Sequence, residues 1–175
     1  KDNMKYGLLD KQTGIIHSLN DDGWGIGDQP EIKIQSPEEQ LKNGYGMCWE
    51  QVELERLWFK ENNFKFKTFL IMFGKEVVDQ KHPAHTFLAY ENDGKWRWFE
   101  NTLGTNNWDH GFESEDDLIA DVKEKIISNA IKAQATENDI AKCEIYEYET
   151  LAHDCVDGDE FLSRIIEENK QYKYI

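Results

Sequence analysis

Cys48 lies in the run Tyr45-Gly46-Met47-Cys48-Trp49-Glu50, where a small glycine turn leads straight into a stretch of helix-forming residues. A thiol at a helix start faces the first-turn N–H groups and the positive end of the helix dipole, and both stabilise negative charge. Its pKa falls there, and the thiolate, which is the reactive species, becomes populated near neutral pH. A thiol nucleophile also needs a base to take its proton and a third group to orient that base. His85 opens one strand of an expected β-hairpin, and Glu100 lies on the return strand. Cys48, His85 and Glu100 together read as a Cys-His-carboxylate nucleophilic centre, which makes an enzyme the leading expectation.

The third member depends on hairpin register. If Glu91-Asn92-Asp93-Gly94 is the loop, Tyr90 pairs with Lys95 and His85 stands directly opposite Glu100, with both side chains on one face. A loop of three residues instead sets Asn101 opposite His85. Carboxylate and amide can both orient a catalytic imidazole, and the longer loop, with Glu100, is the preferred reading. His82 precedes Pro83 in a polar loop and ranks behind His85 as the base.

The elements that must position these residues follow from capping and periodicity. Tyr6-Gly7-Leu8-Leu9 and Ile15-Ile16-His17 flank the turn cluster Asp10 to Gly14, so a short hairpin is expected. Ser36-Pro37-Glu38-Glu39 combines a serine cap, a proline at the first helical position and a capping-box glutamate; Asn43-Gly44 stops that helix. A second helix runs from Cys48 to about Asn62, with Val52, Leu54, Leu57, Trp58 and the alkyl part of Arg56 as its apolar face and Glu50 and Glu53 more exposed. Phe64 to Phe73 reads as a central strand, since its second half is apolar on both faces. Strands over His85 to Glu91 and Lys95 to Asn101 follow. Ser114 caps a helix with an acidic first turn and apolar positions at Leu118, Ile119, Val122, Ile126, Ile127, Ala130 and Ile131. A strand over Cys143 to Glu149 and a helix from Gly158 to Asn169 complete an α+β architecture, helices on a largely antiparallel sheet.

Composition sets outer bounds. A chain of 175 residues with 39 % hydrophobic and 13 % aromatic content is expected to form one domain, residues 1–175. The net charge of −15 argues against nucleic acid and anionic membranes, because phosphate contacts need clustered Lys and Arg. No apolar run approaches the ~20 residues of a membrane span. Lys1-Asp2-Asn3-Met4 is polar, unlike a leader peptide, although Lys1 is not a methionine and a leader could have been removed. Cys48, Cys143 and Cys155, an odd and widely spaced set, suit a reducing compartment, so a soluble cytoplasmic protein is expected.

Tyr45-Gly46-Met47-Cys48-Trp49 resembles the Tyr-Gly-x-Cys-Trp nucleophile motif of transglutaminases. The segment from His85 through Gly94-Lys95-Trp96 to Glu100 is similar to the family's pattern of a His-bearing strand, a Gly-Lys-Trp turn and a return strand ending in Asp. The intervals between the three residues also resemble those of arylamine N-acetyltransferases. The likeness spans residues 36–102. It implies a papain-like, transglutaminase-like fold and thiol-dependent acyl transfer or hydrolysis on a peptide or glutamine amide. Cys48 would be the nucleophile, His85 the base and then the acid, and Glu100 the orienting group, with the Cys48 N–H as one oxyanion donor. Glu100 is one methylene longer than the family's usual Asp. No calcium-site pattern of the animal enzymes is present, so no cofactor or metal is carried over.

Plainer readings stand beside these. A free cysteine is often buried and inert, and the alternative function is a binding or interaction module that keeps the fold without turnover. Tyr45, Trp49 and Trp98 are candidates to line a cleft, with Trp96 and Trp98 equally suited to ordinary sheet packing. The glycine-rich residues 21–27 lack phosphate-loop spacing. His153 and Cys155 with Cys143 make only a weak zinc pattern, short of a fourth ligand. The acidic run at 154–160 reads as a solvated helix start.

Overall fold

The computed structural model describes residues 4–18, 31–73, 84–99, 110–132, 137–141, 143–149, 157–168 and 171–172. Within them the chain forms β1 (Lys5–Asp10), β2 (Ile16–Ser18), β3 (Ile32–Lys33), α1 (Pro37–Asn43), β4 (Tyr45–Gly46), α2 (Cys48–Glu61), β5 (Lys65–Phe73), β6 (Ala84–Asn92), β7 (Lys95–Phe99), α3 (Glu115–Lys132), α4 (Glu137–Ala141), β8 (Cys143–Tyr148), α5 (Gly158–Glu168) and β9 (Gln171–Tyr172). The class is α+β. Residues 21–27 and the His153 and Cys155 of the weak zinc pattern lie outside the described residues, as does His82.

The main sheet has the order β7-β6-β5-β8-β9, and each neighbouring pair is antiparallel. β5 sits in its middle because Phe69, Leu70 and Ile71 are apolar on both faces and fully buried. On one face Leu70, Met72, Tyr146 and Tyr148 pack against Trp49 and Val52 of α2 and Phe161 and Ile165 of α5. On the other, Phe69, Ile71, Phe87, Trp98 and Ile145 pack against Leu118, Ile119, Val122 and Ile126 of α3. A sheet buried on both faces by amphipathic helices is a stable layering.

A smaller sheet holds the approach to Cys48. β1 pairs antiparallel with β2 and β3, and β4 runs parallel to β1 with Lys5 opposite Tyr45 and Tyr6 opposite Gly46. The β1–β2 turn closes on Asp10, whose carboxylate accepts from the Gln12 N–H at 2.8 Å and the Thr13 hydroxyl at 2.6 Å. Leu8 of β1 joins the same core as Trp49 and Val52, so the two sheets share one interior.

α1 starts and stops as its sequence directs. The Ser36 hydroxyl accepts from the Glu39 N–H at 3.2 Å, and the Glu39 carboxylate accepts from the Ser36 N–H at 2.9 Å. Gly44 ends the helix in the left-handed conformation, φ 71°, and its N–H donates to the Gln40 carbonyl. Gly44→Ala is therefore expected to lower stability by about 1 kcal/mol, the steric cost of Cβ at positive φ. An unchanged urea midpoint would show that the cap does not hold this conformation.

The exposure pattern of α2 departs from the expectation. Leu57 and Trp58 are 44 % and 53 % exposed, while Glu50 and Glu53 are 2 % and 8 % exposed. Leu57 and Trp58 lie about 140° and 240° round the helix from Val52 at 100° per residue, so they cannot share its inward face. Cys48, Val52 and Phe59 form that face instead. Trp58 stacks on Phe64 at 5.7 Å just past the helix end. Glu53 is drawn in beside Arg56, with Nε 3.6 Å from the carboxylate, and Glu50 serves two backbone N–H groups described below.

Candidate active site

Cys48 is the first residue of α2, where the backbone N–H has no partner inside the helix. Its position is set from behind. Gly46 has no room for a side chain, because a Cβ there would lie 2.1 Å from the Nε2 of Gln40, itself fully buried. Gln51 reaches back from the helix, its Nε2 donating to the Gly46 carbonyl at 2.8 Å. Glu50 ties the turn down: one carboxylate oxygen accepts from the Met47 N–H and the other from the Gln35 N–H, each at 2.7 Å. The residue before the thiol is thus clamped to the helix it starts and to the segment leading into α1.

His85 is the second residue of β6, paired with Ile71 of β5. Sheet pairing on the far side of β6 ends at Leu88 opposite Phe99, so the described part of β7 does not cover residues 84–87. The start of α2 comes in at this place. The Cys48 thiol meets the His85 side chain through a hydrogen bond, and the Thr86 backbone N–H also bonds to it. Cys48 and His85 are 4 % and 8 % exposed. Burial pushes the thiol pKa up, but the His85 hydrogen bond, the field of that ring and the Thr86 N–H outweigh it. The net position is below the ordinary value for a thiol. Cys143 shows the contrast: half-buried on β8 without such partners, its thiol is pushed up by burial.

The hairpin register differs from the expected one. Asn92 pairs with Lys95, Tyr90 with Arg97 and Ala89 with Trp98. The turn is the two residues Asp93-Gly94, with φ of 53° and 70°. Such a tight turn suits the right-handed twist of paired strands, which is why Asp-Gly favours it over a four-residue loop. Tyr90 therefore does not pair with Lys95, and the register that set His85 opposite Glu100, or in the alternative opposite Asn101, is not the one formed. Glu100 and Asn101 themselves lie outside the described residues.

Of the candidate cleft aromatics, Trp49 and Trp98 are buried in the core and Tyr45 is half-buried. Trp98 is fully buried in the core under α3, edge-on to Phe87 at 6.3 Å, since alternation along β7 turns it toward that face. Trp49 is 7 % exposed and packs edge-on to Phe161 at 5.3 Å, its ring also lying against Gly158 of α5. Tyr45 is half-buried over β1, with its ring against Gly7 and Lys5 Nζ 5.5 Å from the ring centre. Trp49 and Trp98 face the core because their helix turn and strand supply walls to it.

Residues that sequence reasoning passed over complete the surroundings. Thr86 and Tyr148, 1 % and 2 % exposed, bring two hydroxyls into the core beside the thiol, and neither makes a well-aligned hydrogen bond. Alternation along β6 could have flagged Thr86, which stands between Ala84 and Leu88 on one face of the strand. Glu50 could have been found as the third helical residue after a cap, the capping-box place. Among the described residues no three His, Cys, Asp or Glu side chains gather as a metal site, and no helix is long and apolar enough to cross a membrane. Comparison with protein-family models, curated proteins and solved structures finds no match.

Proposed function

We propose that this chain is a transglutaminase-like cysteine enzyme of papain-like α+β fold, in which Cys48 and His85 carry out thiol-dependent acyl transfer or hydrolysis on a peptide or glutamine amide. The observation that carries this reading is the hydrogen-bonded pair of a helix-start thiol and a strand histidine, with the thiol pKa held below its ordinary value. In this reading His85 holds the proton and Cys48 is a thiolate. The sulfur forms a bond to the amide carbon, and the carbonyl π electrons move onto oxygen. When the tetrahedral species collapses, the C–N bond breaks and His85 protonates the departing ammonia or amine. His85 then takes a proton from water or an acceptor amine as it attacks the thioester, and Cys48 leaves as thiolate. The steps rest on Cys48 and His85, and no third member is taken from the hairpin. A reducing, cytoplasmic setting suits a chemistry that needs a free thiol, and the net charge of −15 suits a peptide or protein partner better than nucleic acid.

The test is ammonia release from glutamine-containing peptides, or incorporation of a primary amine into them. Cys48→Ala is expected to lower either rate by at least about 1,000-fold, and Cys143→Ala to leave it unchanged. The reading fails if Cys48→Ala retains activity, or if the wild type is inactive and iodoacetamide modifies Cys48 no faster than Cys143 and Cys155. The burial of Cys48 and His85 favours a second reading, an interaction module that retains the fold without turnover, and that same inactive outcome would support it.

A further inference from the structure

The Cys48 surroundings hold a donor that the resting site does not use. Tyr148 lies on β8, on the sheet face that packs against α2, in one core cluster with Met47 and Trp49 on either side of the nucleophile. Its ring is fixed by Phe161, edge-on at 5.9 Å, and by the Arg56 guanidinium 6.0 Å from the ring centre. The hydroxyl at the end of this rigid ring is buried; it faces the Thr86 side chain but makes no well-aligned hydrogen bond. Burial, and the charges of Glu53 and Cys48 nearby, hold its pKa well above the ordinary phenol value, so it stays a neutral O–H donor. Leaving a buried hydroxyl without a partner is costly, and such groups in native proteins call for an explanation.

We propose that the Tyr148 hydroxyl is an oxyanion donor: as the Cys48 sulfur adds to a carbonyl carbon, the oxygen that gains the electron pair accepts from Tyr148 Oη and from the Cys48 backbone N–H. This rests on the acyl-transfer reading above and narrows it. A neutral donor kept in reserve beside a thiolate serves substrates whose oxygen becomes charged during attack, namely esters, amides and thioesters. It does nothing for a disulfide or an alkyl halide, where no oxyanion forms. The donor is worth most in the transition state, because it is already in place and out of water.

The test compares two reactions of one thiol in the full-length protein, wild type and Tyr148→Phe. Iodoacetamide forms a C–S bond and expels iodide with no oxyanion. With p-nitrophenyl acetate, sulfur adds to the carbonyl, and collapse breaks the C–O bond to release p-nitrophenolate with its electron pair. Tyr148→Phe is expected to leave the alkylation rate of Cys48 within about twofold and to lower its acylation rate by roughly 100-fold, the usual loss for one oxyanion donor. Because the phenol makes no well-aligned hydrogen bond in the fold, the variant is also expected to unfold at a temperature no lower than the wild type. Acylation unchanged in the variant would overturn the role of Tyr148 alone. Equal losses in both reactions, or a lowered unfolding temperature, would show that the hydroxyl supports the thiolate or the packing and would also overturn it. Wild-type protein that alkylates at Cys48 but is not acylated there would overturn the acyl-transfer reading itself. If Tyr148→Phe cannot be obtained folded, 3-fluorotyrosine at the tyrosine positions keeps the ring and strengthens the donor. Acylation that responds no more than alkylation then overturns the proposal.

Discussion

His85→Ala is expected to slow alkylation of Cys48 by iodoacetamide by about tenfold at the acid end of the rate-versus-pH curve, and to reverse that order at high pH. The thiol is buried, and burial alone would raise its pKa; the His85 hydrogen bond and field are the leading opposing influences. Removing a close opposite charge shifts a pKa by about 1–3 units. Without His85 the thiol pKa rises, and the thiolate fraction falls at any pH below both values. A thiolate of higher pKa is intrinsically the better nucleophile, with a Brønsted slope of about 0.4–0.5, which offsets about half of that loss on a logarithmic scale. The net loss is therefore about tenfold at low pH. Above the raised pKa both proteins are thiolate, and the variant is the faster of the two. Crossing rate-versus-pH curves are the signature. Parallel curves would mean that His85 only packs against the sulfur and does not set its ionisation.

The second large effect concerns stability. Glu50 accepts from the Met47 and Gln35 N–H groups, yet burial, with a smaller contribution from the Glu39 charge, raises its pKa from 4.5 to about 7. It faces those two backbone N–H donors, the Gln35 side chain and Glu39. A raised carboxyl pKa means that the folded state binds the proton more tightly than the unfolded chain. Stability from this group is then complete below about pH 4.5 and is lost as pH rises toward 7. The slope is at most about 1.4 kcal/mol per pH unit, and the whole loss is roughly 3 kcal/mol. Glu50→Gln removes the titration while keeping an acceptor oxygen. Urea unfolding between pH 4.5 and 8 is expected to show the wild type losing ground to the variant up to about pH 7, then running parallel. If the difference between them does not change with pH, Glu50 does not titrate in this window. Because Glu50 holds the N–H just before Cys48, the same ionisation bears on how firmly the nucleophile is seated.

Local signals in the chain were strong wherever a few adjacent residues decide the outcome. The Ser36 cap and Gly44 stop, the helix starting at Cys48, the Ser114 cap and the strand alternation over 143–148 all formed as their residues direct. The signals weakened where a choice depends on distant partners. Asp93-Gly94 closes a tighter turn than the four residues Glu91 to Gly94 allow, and this changes every cross-strand neighbour at once. The polarity of Glu50 and Glu53 pointed outward, but a helix start with orphan N–H groups and the neighbouring Arg56 drew them in. Trp49 and Trp98 are the type of residue that lines a cleft, and the core claimed both because large aromatic rings bury the most apolar surface.

What the sequence determined by itself was the placement of a thiol at a helix start and of a histidine on a strand, because caps, glycine turns and periodicity act over a few residues. Whether those two meet was decided by tertiary structure alone. The pairing of β4 with β1 and the Glu50 clamp bring Cys48 to His85 from distant parts of the chain. The same packing sets Thr86 and Tyr148 beside the sulfur, and burial and hydrogen bonding, properties of the assembled core, fix how readily that sulfur ionises.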